Sequence, residues 1–523
     1  MPLAIPASAS APLNHDLASL LRARCQRSPD AVVIHAGGAS LGAAAFDAAS
    51  DQVAAWLVAQ GVAKGDRVAL YGVNGPEFAV AYFGIVKAGA VVVPLNLLQN
   101  PRELAFVLND AGVRGLIHSA VLTEKVAALR AHGIASDLGS GFVQAIAEVS
   151  DWARLADGLP LPDVRIDAAV DLAAILYTSG TTGNPKGAML SHRNLAFDTW
   201  SAAQATQLQD DDVLLVVLPM FHSFAASVGM IMPLLWGAAL APVPKFDAGL
   251  VAETIAAVGA TVFMGVPSMY NVLLHLPDQD RNKLASLRLC VSGGAAMPVA
   301  LMKAFEERFG LPIYEGDGPT ECGPVTCLNP LGGARKPASV GVPIPMVDMA
   351  IRDLQGGPVA DGEVGEICVR GANVMRGYWH LQEATAESFW GDGWFRTGDL
   401  GLRDSDGYFF IVDRIKDMII VNGMNVYPRM VEEVLYEHPA VAEAAVIGAP
   451  HDSHGEIPVA YVALKTEATA AALRAFCRER LGPHQVPRRF TIVDALPKNA
   501  AGKIVKRELR KQGELERGVD LPE

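Results

Sequence analysis

The first four hundred residues alternate short apolar runs with longer stretches of helical periodicity. The runs that predict buried strands are Val213–Leu218, Thr261–Met264 and Leu287–Val291. The stretches that predict helices are Ala43–Gln60, Glu77–Ala88, Pro298–Phe309 and the residues after Ser191. Strands that alternate with helices pack as parallel sheets covered by those helices, so the pattern predicts an α/β fold.

The pattern changes after Asp413, where short strands and helices follow one another more closely. The predicted strands are Met418–Val421, Ala442–Ile447, Pro458–Leu464 and Phe490–Val493, and the predicted helices are Arg429–Glu437 and Ala470–Arg480. A chain of 523 residues is too long for one ordinary domain. We therefore predict a large domain over residues 1–412 and a small α+β domain over residues 413–523.

Composition narrows the classes of protein that the chain can be. The residues are 51% hydrophobic and 19% charged, as in a soluble globular protein, and a net charge of −13 argues against nucleic acid as a partner. No uninterrupted run of eighteen apolar residues predicts a transmembrane segment, and the N-terminus lacks a secretory signal pattern. The six cysteines are scattered, which favours the reducing cytoplasm. Peripheral membrane contact and a homodimer stay open.

The segment Tyr177–His192 reads YTSGTTGNPKGAMLSH and follows the apolar run Leu172–Leu176, which predicts a strand. Its glycines let the backbone approach an anion, its hydroxyls donate hydrogen bonds, and Lys186 adds a positive charge. An ordinary turn would not need four hydroxyls and a lysine, so a polyphosphate-binding loop is predicted. The P-loop of NTPases is excluded because Gly187, rather than serine or threonine, follows Lys186.

Four later blocks carry further candidate chemistry. Tyr314–Cys322 contains Thr320 and Glu321, whose hydroxyl and carboxylate suit a phosphate and Mg²⁺. Gly393–Gly401 contains Asp399, whose carboxylate can accept hydrogen bonds from both ribose hydroxyls, although an Asx-turn would be the favoured explanation of this block in isolation. The remaining two blocks are Asp413–Pro428, at the predicted domain boundary, and Leu496–Arg507, which contains Gly502 and Lys503.

Taken in this order, the five blocks resemble those of the adenylate-forming (ANL) superfamily, and within it the acyl-CoA synthetase or fatty-acid–CoA ligase branch. The resemblance covers essentially the whole chain and implies ATP, Mg²⁺ and CoA as cofactor or co-substrates. The nucleotide or CoA contacts that it implies are Thr178, Ser179, Gly180, Thr181, Thr182, Gly183, Lys186, Gly294, Ala295, Glu315, Gly316, Asp317, Asp399, Arg414 and Gly423. Asp317 departs from the family, which usually has an adenine-stacking aromatic residue there.

The resemblance also implies the catalytic roles. Lys503 corresponds to the adenylation lysine on a mobile lid domain, and Lys416 corresponds to the hinge of that domain. Thr178 and Glu321 would hold Mg²⁺, and Thr320 would contact the α-phosphate. We also expect His222 to be a gating or orienting residue beside the acyl carboxylate, although a core histidine is a serious alternative.

The acid substrate is predicted from three apolar stretches, Phe221–Met230, Met264–Tyr270 and Ser292–Ala296, although several of their residues are equally typical of a core. No acid in Ser223–Met232 could pair with an amino group, and no lysine or arginine could pair with a second carboxylate. We therefore expect a medium- to long-chain fatty acid to be converted to acyl-CoA, with release of AMP and pyrophosphate. An aryl-CoA ligase, a carrier-protein-loading enzyme and a luciferase-like oxygenase remain alternatives.

Overall fold

The computed structural model describes residues 11–131, 141–178, 184–451, 453–499 and 502–517. The strands up to residue 317 are β1 (Val32–Ala36), β2 (Ala39–Gly42), β3 (Arg67–Tyr71), β4 (Val91–Pro94), β5 (Gly115–Ser119), β6 (Phe142–Ile146), β7 (Leu172–Thr178), β8 (Lys186–Ser191), β9 (Val213–Val216), β10 (Ala239–Pro242), β11 (Val262–Gly265), β12 (Leu289–Ser292) and β13 (Ile313–Asp317). The later strands are β14 (Cys327–Leu328), β15 (Val342–Pro343), β16 (Asp348–Arg352), β17 (Gly365–Arg370), β18 (Phe395–Arg403), β19 (Phe409–Arg414), β20 (Ile419–Val421), β21 (Met424–Val426), β22 (Val441–His451), β23 (Gly455–Leu464) and β24 (Arg489–Val493).

The helices lie between these strands. They are α1 (Leu17–Arg27), α2 (Ala43–Ala59), α3 (Pro76–Lys87), α4 (Pro101–Ala111), α5 (Thr123–Ala131), α6 (Asp151–Leu155), α7 (His192–Ala205), α8 (Met232–Trp236), α9 (Ala248–Val258), α10 (Pro267–Leu273), α11 (Val299–Phe309), α12 (Gln382–Glu387), α13 (Pro428–Tyr436), α14 (Ala470–Arg478) and α15 (Lys506–Arg517). Ala225–Ile231 forms a π-helix that leads into α8. Within the described residues, no helix is long and apolar enough to cross a membrane.

Two largely parallel sheets organise the chain up to β15. The nine-stranded sheet has the order β15-β14-β13-β12-β11-β9-β10-β1-β2, with parallel pairing from β13 to β1 and antiparallel strands at both edges. The six-stranded sheet has the order β6-β5-β3-β4-β7-β8, with only the β7–β8 pair antiparallel. The α/β class that the sequence predicts is therefore confirmed.

The predicted elements of this part agree with the observed ones to within one or two residues. The strands β9, β11 and β12 are buried almost throughout, as apolar runs inside a parallel sheet should be. The helix predicted after Ser191 is α7. Its first turn is fixed by a capping box, in which the Ser191 hydroxyl accepts from the Asn194 N–H and the Asn194 side chain accepts from the Ser191 N–H.

The sequence pattern did not predict the antiparallel sheet formed by β16 to β19, because it treated everything before Asp413 as alternating strands and helices. These four strands pair in chain order. In β16 exposed or half-buried residues alternate with buried ones, the pattern of a strand with one face toward solvent. The predicted boundary at residues 412/413 falls inside β19, whose last residue Arg414 still pairs with Asp399 of β18.

The C-terminal part has its own sheet and core. Its strands have the order β21-β20-β23-β22, and β24 runs parallel to β23. Strand β22 is longer than predicted, extending to His451. Buried side chains cover both faces of this sheet, with Val431 and Leu473 among those on one side and Tyr461 and Leu509 on the other. The large-plus-small architecture follows from these separate cores.

Candidate active site

The predicted metal ligands meet at the ends of two strands from different sheets. Thr178 is the last residue of β7, and Glu321 lies in a short 3₁₀ turn a few residues after β13. The Thr178 hydroxyl lies 3.4 Å from Glu321 Oε1, and the Tyr378 hydroxyl donates to the same oxygen at 2.9 Å. The structure therefore brings together two residues that are 143 positions apart in the chain.

These two residues fit Mg²⁺, which prefers carboxylate and hydroxyl oxygens and shares its coordination with phosphates. No group of three or more His, Cys, Asp or Glu that could hold a metal occurs within the described residues. A metal at this position would therefore take its remaining ligands from a bound nucleotide and from water. That is the usual arrangement for Mg²⁺ in nucleotide sites.

The two ends of the predicted phosphate-binding loop are fixed by strand pairing. Thr178 of β7 and Lys186 of β8 are register partners in an antiparallel pair, whereas a P-loop connects a strand to a helix. The Lys186 ammonium lies 5.1 Å from the centre of the Tyr378 ring. The other predicted loop residues, Ser179, Gly180, Thr181, Thr182 and Gly183, lie outside the described residues.

Sequence reasoning missed Tyr378, whose hydroxyl donates to Glu321 and whose ring lies near the Lys186 ammonium. The main chain beside it is held against β8, because the Trp379 N–H donates to the Gly187 carbonyl at 2.7 Å. The sequence Gly377-Tyr378-Trp379 contains no charged or metal-binding pattern. Nothing in its local sequence distinguishes this tyrosine from a core aromatic residue.

Thr320 and His222 lie on either side of Ser223. The hydroxyls of Ser223 and Thr320 share a hydrogen bond of 2.8 Å, and Nδ1 of His222 accepts from the Phe224 N–H at 3.4 Å. Burial lowers the pKa of His222 to about 4, and the positive charge of Lys503 acts in the same direction. The imidazole of His222 is therefore neutral at neutral pH, and it lies close enough to Lys503 to feel its charge electrostatically.

Lys503 comes from the small domain and faces the large domain. The Ser268 hydroxyl donates to the Gly502 carbonyl at 3.5 Å, and Asn499 Oδ1 accepts from the Lys503 N–H at 2.9 Å. The Arg414 guanidinium is the main cause that lowers the pKa of Lys503, to about 8. Burial and Lys416 lower it further, whereas Asp399 and Asp317 raise it.

We expect the kcat/KM for acyl-adenylate formation to fall as the pH rises through about 8. The ammonium of Lys503 is the form that can stabilise negative charge, and it loses its proton at that pH because its pKa lies below the usual 10.5. Pyrophosphate release measured across pH tests this. The control is Lys503→Arg, whose guanidinium stays protonated. An alkaline decline that persists in this variant would contradict the assignment.

Asp317, Asp399 and Arg414 form one charged cluster with Lys503. Arg414 Nε lies 2.9 Å from Asp399 Oδ1. Burial raises the pKa of Asp317 to about 6, Asp399 raises it as well, and the charges of Arg414 and Lys503 oppose the shift. The carboxyl that replaces the expected adenine-stacking aromatic residue therefore belongs to this charged cluster.

The remaining predicted residues lie at varying distances from these groups. Gly316 precedes Asp317 on β13, and Gly294 and Ala295 follow β12, the neighbouring strand. Lys416 is exposed in the turn between β19 and β20. Gly423 is exposed at the tip of the β20–β21 hairpin, and the structure does not bring it to the charged cluster.

A narrow apolar cleft opens beside the carboxyl end of β9, with about 240 Å³ of empty space including its mouth. Phe224 connects the cleft to the site, because its ring packs against Gly293 and it follows His222 and Ser223 in the chain. Met264 lines the cleft, whereas Met230 is packed in the core. The lining residues are Leu214, Leu215, Val216, Val217, Leu218, Phe224, Ala225, Val228, Gly229 and Met264.

The two-domain fold is that of the adenylate-forming class of enzymes. The chain belongs to the AMP-binding enzyme family, since residues 21–379 match that family and residues 430–503 match the AMP-binding enzyme C-terminal domain. Within this family it is an acid–thiol ligase that forms acyl-CoA.

Similar proteins act on different acids. The chain is 36% identical to a long-chain-fatty-acid–CoA ligase of Bacillus subtilis (strain 168), with 95% of this chain and 94% of that protein covered. It is 39% identical to a feruloyl-CoA synthase of an Amycolatopsis species, covering 95% and 99%. The crystal structure of ATP-bound MatB from Rhodopseudomonas palustris superposes with a TM-score of 0.88 at 34% identity, covering 95% and 99%.

Proposed function

We propose that this enzyme converts a medium- to long-chain fatty acid to its acyl-CoA thioester in two steps. In the first, a carboxylate oxygen of the acid attacks the α-phosphorus of ATP, and pyrophosphate leaves. In the second, the CoA thiol loses its proton, its sulfur attacks the acyl carbonyl carbon, and AMP leaves. The observation that carries the choice of acid is the cleft beside β9, in which no lining residue that the structure describes has a charged or hydrogen-bonding side chain.

The site residues have distinct roles in this proposal. Lys186 and the loop before it hold the β- and γ-phosphates, and Thr320 contacts the α-phosphate. Asp399 and Arg414 hold the ribose. Bound through Glu321 and Thr178, Mg²⁺ would neutralise charge on the phosphates. Neutral His222 orients the acyl carboxylate at the mouth of the cleft.

Lys503 stabilises the first transition state. Its ammonium spans the attacking carboxylate and the α-phosphate, where negative charge develops as the new bond forms. The small domain then rotates about Lys416 and withdraws Lys503, so that CoA can approach the acyl carbon. Gly423 lets the pantetheine arm pass close to the backbone because it carries no side chain.

We further propose that the enzyme acts in the cytoplasm. All six cysteines are buried and free, and this is the state in which a reducing compartment keeps them.

A panel of acids tests the proposed substrate. We expect the highest kcat/KM with unbranched medium- to long-chain fatty acids, and values at least about a hundredfold lower for malonate and sulfoacetate, because a second anionic group would be buried without a partner. The measurement is pyrophosphate release, with acyl-CoA detected by mass spectrometry. Acetate and ferulate serve as a small and an aromatic comparison.

The panel also separates the alternatives. A preference for ferulate would replace the fatty acid by an aryl acid, and a preference for a dicarboxylate would overturn the use of the apolar cleft. A thioester that forms only on a phosphopantetheinyl carrier protein would exclude CoA as the acceptor. Light emission with ATP, acid and O₂ but without CoA would indicate a luciferase-like oxygenase.

A further inference from the structure

One face of helix α13, in the small domain, contacts the large domain through two charged side chains. Arg429 and Glu433 are four residues apart and so lie on the same side of the helix. Arg429 Nη2 lies 3.7 Å from Oε1 of Glu315 on β13. The backbone of Val299, the first residue of α11, lowers the pKa of the Glu433 carboxyl, so Glu433 also lies beside the large domain. We call Glu315, Val299, Arg429 and Glu433 the α13 anchor.

On the large-domain side, the anchor contains the buried carboxylate of Glu315, which would have few polar partners without Arg429. Glu315 is 1% exposed, and its Oε1 accepts from the Met297 N–H at 3.0 Å. Its Oε2 has no hydrogen-bond partner in the part of the chain that the structure describes. Burial raises the pKa of Glu315 to about 7, and the Arg429 charge opposes that shift. A buried carboxylate of this kind favours the domain orientation in which a cation lies beside it.

On the small-domain side, Arg429 is fixed rather than free to follow Glu315. Its side chain is largely buried, and its N–H donates to Asp413 Oδ2 at 2.9 Å. Burial raises the pKa of Glu433, and the Arg429 charge opposes that rise. The arginine charge therefore acts on one carboxyl of each domain, Glu315 and Glu433. A rotation of the small domain would separate Arg429 from Glu315 and Glu433 from Val299 together.

The anchor is coupled to the orientation of Lys503, because Arg429, Glu433 and Lys503 all belong to the small domain. Glu315 lies on β13 two residues before Asp317, and the charges of Lys503 and Arg429 both oppose the rise in the pKa of Asp317 that burial causes. We propose that Arg429 is a positioning residue for acyl-adenylate formation: through Glu315 it holds the small domain in the orientation that places Lys503 in the site. This inference rests on the proposed two-step function, and it adds a residue that neither step uses directly.

The test is Arg429→Met, which keeps most of the aliphatic stem and removes the charge. We expect acyl-adenylate formation to slow about tenfold, the size of effect typical of losing one charge-assisted contact. Thioester formation from supplied acyl-AMP should be unchanged or faster, because the small domain can then rotate without breaking the contact between Arg429 and Glu315. Arg429→Lys should restore most of the first rate. The matched control is Arg403→Met, which removes a 2.7 Å ion pair with Asp361 within the large domain and should change neither rate.

A second measurement reports domain orientation without catalysis. Leu250 on α9 and Ile492 on β24 are exposed, whereas all six cysteines are buried, so Leu250→Cys and Ile492→Cys can carry a fluorophore pair. We expect Arg429→Met to shift the energy-transfer distribution of the labelled protein, and Arg403→Met to leave it unchanged. Glu315→Gln should produce the same shift as Arg429→Met, and the double variant should add little to either.

Two results would overturn the inference. One is an unchanged energy-transfer distribution in Arg429→Met, whatever the rates. The other is an equal loss in both half-reactions, because that would indicate general damage to the fold rather than lost positioning. Failure of the proposed function is a separate outcome: the unsubstituted enzyme would release no pyrophosphate with any acid, while the energy-transfer comparison would still report whether Arg429 sets the orientation.

Discussion

Replacing Lys503 by alanine is expected to slow acyl-adenylate formation by about two to three orders of magnitude, as loss of a preorganised donor does in other enzymes. The ammonium lies with Arg414, Asp399 and Asp317 at the domain junction, and its pKa is low because the Arg414 charge and burial outweigh the two carboxylates. Removing it leaves the charge that develops between carboxylate and α-phosphate without its donor. Pyrophosphate release in a rapid-mixing assay measures the effect directly.

The same variant should retain most of its thioester formation from supplied acyl-AMP, because the proposed rotation withdraws Lys503 before the thiol attacks. Lys498→Ala is a matched control. Lys498 bridges to Ile504 in the same loop, and its ammonium pairs with Glu443 of the small domain at 2.5 Å, away from the charged cluster. An equal loss of both half-reactions in Lys503→Ala would contradict the two-orientation scheme.

The parallel part of the fold could be predicted because its signal is local. Buried strands such as β9 and β11 appear as short apolar runs, and the capping box at Ser191 fixes the start of α7 within four residues of sequence. The sheet of β16 to β19 could not be predicted in this way. Its pairing depends on contacts between distant residues, and β19 extends across the expected domain boundary.

The site also contains some residues that the sequence could predict and others that it could not. Thr178 and Glu321 were predicted to hold a metal together because each lies in a block whose order resembles a known family, and their side-chain oxygens lie 3.4 Å apart. Tyr378 lies in none of the five blocks, although its hydroxyl contacts the same carboxylate. Arg429 carries no local signal either, since its partner Glu315 is reached only when the two domains are oriented as they are here.

Asp317 departs from the family pattern, and its carboxyl changes the electrostatics of the site. An aromatic ring at this position would stack on adenine, but a carboxyl adds negative charge beside Arg414 and Lys503. The charges of Asp317 and Lys503 act on each other, because Lys503 opposes the rise in the pKa of Asp317 and Asp317 opposes the fall in the pKa of Lys503. The charge balance around Lys503 therefore depends on a residue that the family motif would not contain.

Replacing Lys416 by proline is expected to have the opposite signature from Lys503→Ala, with acyl-adenylate formation retained and thioester formation slowed about tenfold or more. Lys416 lies in a tight turn after β19, in which the N–H groups of Asp417 and Met418 both donate to the Arg414 carbonyl. Proline fixes φ near −65° and restricts Ile415 as well, so the turn can no longer absorb the rotation that withdraws Lys503. Single-turnover assays of each half-reaction measure the split.

Lys416→Ala distinguishes the effect of restricting the backbone from the effect of removing the Lys416 charge. The ammonium of Lys416 contributes to the lowered pKa of Lys503, so alanine should move the alkaline decline of adenylation to higher pH while leaving thioester formation largely intact. If alanine slowed thioester formation as much as proline, the side chain rather than the rotation would be responsible. If proline left both half-reactions intact, the hinge would lie at another residue between Arg414 and Ile419, because those residues end and begin the strands that belong to the two domains.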